Sequence, residues 1–236
     1  MKKLASILAL LVCASMAWAA QSREEVKDRM DNATKVMQEI MNTPDKGIPE
    51  EVLDSAQCVA VVPHMIKGGL GIGAEHGRGV AICRTGHGWS APAFFSISGG
   101  TWGLQIGLEG IDLVMVFTDR QGANQMLSSK FEVGGDASAS AGPVGRHASA
   151  NTDWKMNTKV LTYSRSKGVF AGLTLNGARI VPDEDSDKAY YGHYIEPNTI
   201  LAGGVPAPPS AKEFIKTVST AKVESREDKD KPVHNQ

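Results

Sequence analysis

No long run of Lys and Arg occurs in the 236 residues, whose formal net charge is −1. Without a basic stripe the chain has little with which to neutralise a string of phosphates, so no nucleic-acid partner is expected. Beyond Ala20 there is also no second apolar run approaching the ~20 residues that a membrane-spanning helix needs, so the mature protein is expected to be soluble. Enzyme signatures are missing too: there is no Gly-x-Ser-x-Gly elbow and no His-Glu-x-x-His zinc helix. Glycines at 69, 71, 73, 77 and 79 match neither the Gly-x-Gly-x-x-Gly spacing of a dinucleotide fold nor a phosphate loop, and read as turns and close strand crossings. His64, His76, His87, His147 and His193 are scattered, without the paired spacing of metal ligands. Asp183, Asp185 and Asp187 alternate like half a calcium loop. Lys188 stands where that loop needs Gly, and Tyr194 where it needs Glu, so a solvated acidic turn is expected instead. Neither a metal, nor a cofactor, nor catalysis is expected.

What is present starts at the N-terminus. Lys2 and Lys3 precede an apolar stretch from Leu4 to Trp18, which ends in Ala17-Trp18-Ala19. A basic start, an apolar core and small residues at −3 and −1 are the requirements of a secretion signal. Cleavage after Ala19 is expected, with a periplasmic or secreted product of formal charge −3 once Lys2 and Lys3 are lost. Lipidation of Cys13 is disfavoured by the bulky Val12 before it. Two cysteines then remain, Cys58 and Cys83. An oxidising compartment and an even count favour a disulfide between them, the alternative being two buried thiols packed as small hydrophobes.

Helical periodicity runs from Ser22 to Asn42, with Val26, Met30, Ala33, Met37 and Ile40 on one stripe. Ser22 and Glu25 read as a capping box. The polar face mixes both signs, so packing on the protein's own core is favoured over lying on a membrane, where a Lys/Arg-rich face is usual. A short helix follows from Pro49 to Ser55. Short strands are then expected at Cys58 to Val62, closed by Pro63, and at Val80 to Cys83 across a glycine-rich turn. More are expected at Ala93 to Ser98, Gly103 to Leu108 and Asp112 to Phe117. A short helix carries Ala123, Met126 and Leu127. The small residues of 134–142 alternate as in a tightly packed strand. Strands resume around Lys155 to Tyr163 and Gly168 to Leu175, and a terminal helix covers Ala211 to Val218. The fold class is α+β: a strongly curved antiparallel β-sheet or partial barrel, with N- and C-terminal helices packed on it. Residues 1–19 are assigned to the signal peptide, 20–220 to one domain, and 221–236 to a charged, disordered tail.

Four motifs stand in order: Trp89-Ser90-Ala91-Pro92-Ala93-Phe94-Phe95, Gly103-Leu104-Gln105-Ile106-Gly107, Ala141-Gly142-Pro143-Val144-Gly145-Arg146, and Tyr163-Ser164-Arg165-Ser166-Lys167-Gly168-Val169-Phe170-Ala171-Gly172. From Glu24 to Val218 the chain resembles the SYLF domain family. The resemblance implies a lipid-binding, non-catalytic domain; eukaryotic relatives bind phosphoinositides and membranes, and some fungal members bind actin. Exported bacterial members often carry a Cys in each of the strands holding Cys58 and Cys83, which supports the bridge. One departure is the mixed charge of the N-terminal helix, where some eukaryotic members have a basic segment. The expected partner is an anionic phospholipid or membrane surface, the alternative being another envelope protein bound by a structural adaptor. The lipid-contacting cations are expected to be Lys67 and Arg78, flanking the turn with Met65, Ile66, Leu70 and Ile72, together with Arg165 and Lys167.

Overall fold

Two long strands dominate the computed structural model, β1 (Cys58–Thr85) and β3 (Ala93–Phe117). They pair antiparallel from Cys58↔Phe117 to Ala81↔Ala93. The structure describes residues 2–43, 47–119, 122, 126, 131–133, 139–142, 159–166, 169–172, 175 and 177–220, with the backbone alone at 2–21, 71, 101–106 and 169–172. The tail expected at 221–236, residues 134–138 of the small-residue stretch, most of the helix expected around Ala123 and the cation Lys167 lie outside them.

The separate short strands expected on either side of the glycines are continuous. Glycines at 68, 69, 73, 77 and 79 of β1, and at 99, 100, 107 and 110 of β3, let the ribbon bend without losing its ladder. Pro63 does not close a strand. Having no N–H to donate, it sits at a register shift between Val62 and Met65, where His64 takes φ 53°. The His64 backbone N–H is satisfied by Asp112 Oδ1 at 3.0 Å.

Bending brings the two ends of β1 back together. Arg84 N–H donates to Gln57 O at 2.7 Å, and the Cα atoms of Cys58 and Cys83 stand 4.0 Å apart with their sulfurs at bonding distance. A sheet of eight strands results, curved and nearly closed. In it β2 (Gly88–Trp89), β1, β3, β6 (Val160–Ser166) and β5 (Ala139–Ala141) lie in that order. Off this path, β7 (Val169–Gly172) joins β6, while β8 (Ala178–Pro182) joins β3 and β4 (Phe131–Val133). One ladder, β5 with β6, is parallel. Gly142, just after β5, is roofed by the Tyr163 ring, which a Cβ there would meet at 2.1 Å.

Both faces of the β1–β3 ladder are covered where Cys58 to Val62 meets Leu113 to Phe117, which is why Cys58 to Val62 reads as an unbroken apolar run. Cys58, Ala60 and Val62 turn into the interior with Phe95, Leu113, Met115 and Phe117. Val59 and Val61 turn outward beneath α1 (Lys2–Met41), against Met30, Met37 and Ile40. Helix α1 is longer than its apolar stripe: no Gly or Pro interrupts Lys2 to Met41, so Ser22 lies inside the helix rather than at its cap. Helix α2 (Glu50–Ser55) follows Pro49, and Arg84 donates to the Leu53 and Ala56 carbonyls at its end. After the sheet come α3 (Glu184–Tyr191), α4 (Pro197–Leu201) and α5 (Lys212–Thr220); α5 places Phe214 and Val218 in the cluster with α1. The acidic turn expected at 183–187 is instead the start of α3. Asp183 caps it by accepting the Ser186 N–H at 3.2 Å, and Asp187 is fully buried.

Candidate functional site: an apolar bend in the β1–β3 ribbon

Large aliphatic side chains normally leave water, and nearly all of those described here do. Four do not: Ile66 is 52% exposed, Ile72 66%, Leu70 80% and Leu108 81%. They share one stretch of the ribbon. Gly68 pairs with Leu108, so Ile66 and Leu70 flank Leu108 on one face of the ladder, and Ile72 follows a register shift after Leu70. The chain doubles back here, and Gly69 permits it: a Cβ on that residue would lie 2.4 Å from the Gly73 Cα. The glycine-rich "turn" of the sequence is therefore a corner within a paired ribbon, with its aliphatics turned outward. Met65, expected beside them, is instead buried in the interior.

The described cations do not gather there as a free patch. Lys67 stands at the bend, opposite Glu109 in register, with Nζ 3.8 Å from Glu75 Oε2. Both partners are largely buried, and burial pushes the Glu75 carboxyl above its ordinary value, with Lys67 pulling it partly back. Arg78 donates to Asp183 at 2.9 Å and to Ser186 Oγ at 3.0 Å, and lies 3.9 Å from Glu25. Arg165 donates to Asp112 from Nε at 3.0 Å and also pairs with Glu39 of α1. Each of the three is bound to a different carboxylate.

Arg78 also lines an open cleft of about 810 Å³, together with His76, Asp183, Glu184, Tyr194 and Glu196. Behind it lies a buried polar knot. Arg29 of α1 donates to Asp183 at 3.0 Å and stacks over Phe94, while Asp187 accepts the Phe94 N–H at 3.0 Å. Sequence reasoning missed this knot, because the acidic triplet was read as solvated. It also missed Leu108, whose signal was a lone Leu between glycines at 107 and 110. Among the described residues no group of His, Cys, Asp or Glu is arranged to hold a metal ion, and no helix is long and apolar enough to cross a membrane.

A nearly closed, curved sheet clasped by terminal helices, with an exposed aliphatic corner, defines an α+β domain. The family model described as "Las17-binding protein actin regulator" (Ysc84) matches residues 98–221, and the chain belongs to that family. It is 31% identical over 202 residues to the SH3 domain-containing YSC84-like protein 1 of Rattus norvegicus, a match covering 83% of this chain and 59% of the relative. The Homo sapiens protein of the same name is 31% identical over 196 residues, covering 80% and 57%. Protein YSC84 of Saccharomyces cerevisiae is 29% identical over 204 residues, covering 83% and 43%. The chain thus spans roughly three-fifths or less of the length of these relatives.

Proposed function

We propose that this is an exported, non-catalytic protein that binds the surface of a phospholipid membrane through the apolar bend of its SYLF domain. The observation that carries this reading is the cluster of Ile66, Leu70, Ile72 and Leu108, exposed by 52% to 81% at a single corner. Fully burying such a side chain is worth ~1.5–3 kcal/mol, so seating all four in the headgroup boundary yields roughly 4–8 kcal/mol before the costs of immobilisation. A protein interface of ordinary size needs about 800 Å² per partner, more than four side chains at one corner offer. The cations are secondary, since Lys67, Arg78 and Arg165 would each have to leave a carboxylate to reach a phosphate. In this reading residues 1–19 are removed on export, and Cys58 and Cys83 are covalently joined in the oxidising compartment.

The test is co-sedimentation of the mature protein with phosphatidylglycerol or cardiolipin vesicles. A Leu70→Ser/Leu108→Ser double variant is expected to bind on the order of a hundredfold more weakly with an unchanged melting temperature, since neither side chain is packed. Wild-type protein that stays in the supernatant at low and physiological salt would overturn the proposal. A second reading, an adaptor for another protein, draws on the family description and on names such as LAS seventeen-binding protein 3 of Saccharomyces cerevisiae. It is favoured if the Leu70/Leu108 variant retains a protein partner and wild type ignores vesicles.

A further inference from the structure

We infer that Lys67 and Glu75 are positioning residues: their ion pair clasps the two limbs of the bend together from the inside, and so holds Ile66, Leu70, Ile72 and Leu108 in one lipid-facing crown. This rests on the membrane reading above and adds to it what keeps the docking surface in shape.

Side chains alternate between the two faces of a strand, so the bend has an inner and an outer row. The inner row of β1 holds Lys67 and Gly69 on one limb, and Gly73 and Glu75 on the other, beyond the register shift. At the apex the glycines all but touch, a Cβ on Gly69 falling 2.4 Å from the Gly73 Cα. One step down each limb stand Lys67 and Glu75, with Nζ 3.8 Å from Oε2 across the inside of the corner. The outer row holds Ile66, Leu70 and Ile72, with Leu108 between Ile66 and Leu70 on the paired strand. The ammonium therefore points away from the face that meets lipid, and its part is to shape that face.

Core packing among the described residues ends before the corner, at Met65 and Ile111 on the first limb. Beyond them the four aliphatics face water, and glycines at 68, 69, 73, 107 and 110 have no side chain to pack and a backbone free to bend further or straighten. The ion pair spans the limbs where that packing is missing. Its side chains are 14% and 4% exposed, so water and salt screen it little, and parting the limbs would leave a buried charge uncompensated. Glu109, opposite Lys67 in register and hydrogen-bonded to Ser166 of β6, fastens the same limb to the sheet. A corner already folded has no ordering cost to meet on docking, whereas a corner free to open parts Ile72 from the other three.

The experiment uses the mature chain, first free of lipid and then with vesicles of phosphatidylcholine and phosphatidylglycerol, at constant pH and salt. Lys67→Met and Glu75→Gln each break the pair. In both, amide hydrogen exchange across residues 66–72 is expected to quicken by about tenfold or more, with that of Val59 to Val62 unchanged. Vesicle affinity should fall about tenfold, the worth of one aliphatic side chain left unseated. Reversing the pair, Lys67→Glu with Glu75→Lys, should restore both. The reversal is made in a Glu109→Gln background, itself expected to behave as wild type, because a second carboxylate would otherwise face Glu109 across the ladder. Rescue by the reversed pair separates a clasp from a lysine that meets lipid. Should a single variant fail to fold, the reversed pair decides: exchange and affinity as in wild type support the clasp, and the loss of either overturns it. Unchanged exchange in both single variants overturns the clasp, and faster exchange with undiminished affinity overturns its part in docking; both leave the membrane reading standing. Wild type that ignores vesicles defeats the membrane reading and the docking role with it, while the exchange measurement still decides whether the pair clasps the bend.

Discussion

Replacing Asp187 by Asn should stabilise this protein at neutral and alkaline pH and destabilise it in acid. The carboxyl is completely buried where α3 meets β3. Its Oδ1 accepts the Phe94 N–H at 3.0 Å, while Oδ2 has no hydrogen-bond partner among the described residues. Burial is the largest influence and, with Asp183 and Glu184 nearby, pushes the carboxyl up to about 7 from 3.8, against the pull of the Phe94 N–H and Arg29. Below pH 3.8 folded and unfolded chains both hold the proton, and the group adds no pH dependence. Between 3.8 and about 7 the folded chain keeps a proton that the unfolded chain releases, so stability falls as pH rises; above about 7 the full loss is present. The gap corresponds to a ceiling of roughly 4 kcal/mol. Asn keeps the acceptor for Phe94 but buries an NH₂ group with no partner, which costs about 1–3 kcal/mol. A net gain of ~1–3 kcal/mol at pH 8, giving way to a loss of about 1–2 kcal/mol at pH 4, is therefore expected. Urea titrations of both proteins across that range give the difference directly, which cancels the opposite contribution of Asp183, whose carboxyl is lowered mainly by Ser186 and Arg78 against burial. A variant less stable than wild type at pH 8, and relatively better at pH 4, would refute the reasoning.

Two further outcomes concern processing and covalent closure. Replacing Cys58 and Cys83 by Ala should cost ~3 kcal/mol in the chain-entropy model, since a bond across a separation of 25 residues would fasten the two ends of one strand; intact-mass analysis after periplasmic expression should find no free thiol, and two free thiols would remove the bond. N-terminal sequencing of exported protein should begin at Ala20, and an intact Met1 or a lipidated Cys13 would contradict this.

Particular residues show how much of this was legible beforehand. The α1 stripe of Val26, Met30, Ala33, Met37 and Ile40 was readable because a helix with one buried face repeats its apolar residues every three or four positions; all five are buried. The curved sheet with helices at both ends was also legible from short apolar runs between glycines. Strand continuity was not. A glycine that ends a strand and a glycine that bends one look alike in sequence, and only the partner strand's register distinguishes them, as at Gly69 and Gly107. Exposure of Leu108 was hidden for the same reason, because which face of a twisted ribbon meets solvent depends on where the ribbon closes. The partners of Lys67, Arg78 and Arg165 were invisible as well. Glu75, Asp183 and Asp112 lie 8, 105 and 53 positions away, and no local pattern links them.

Arg165 separates the sequence-based expectation from the structural one. If it served lipid phosphates, Arg165→Gln would weaken vesicle binding and leave the fold unchanged. Its guanidinium, 22% exposed, instead holds Asp112, whose side chain is 10% exposed and also accepts the His64 N–H beside the Pro63 irregularity. The same guanidinium ties β6 to Glu39 of α1. Removing it leaves Asp112 with one backbone donor and a buried negative charge, a loss in the range of roughly 3 kcal/mol, the low end for a broken buried pair because Arg165 retains some water. Arg165→Gln should therefore shift the urea midpoint well below wild type's, while the fraction still folded binds vesicles with near wild-type strength through Leu70 and Leu108. Measuring both on one preparation decides the matter. An unchanged midpoint with binding lost would assign Arg165 to the lipid after all, and would mean that Asp112 finds its compensation elsewhere.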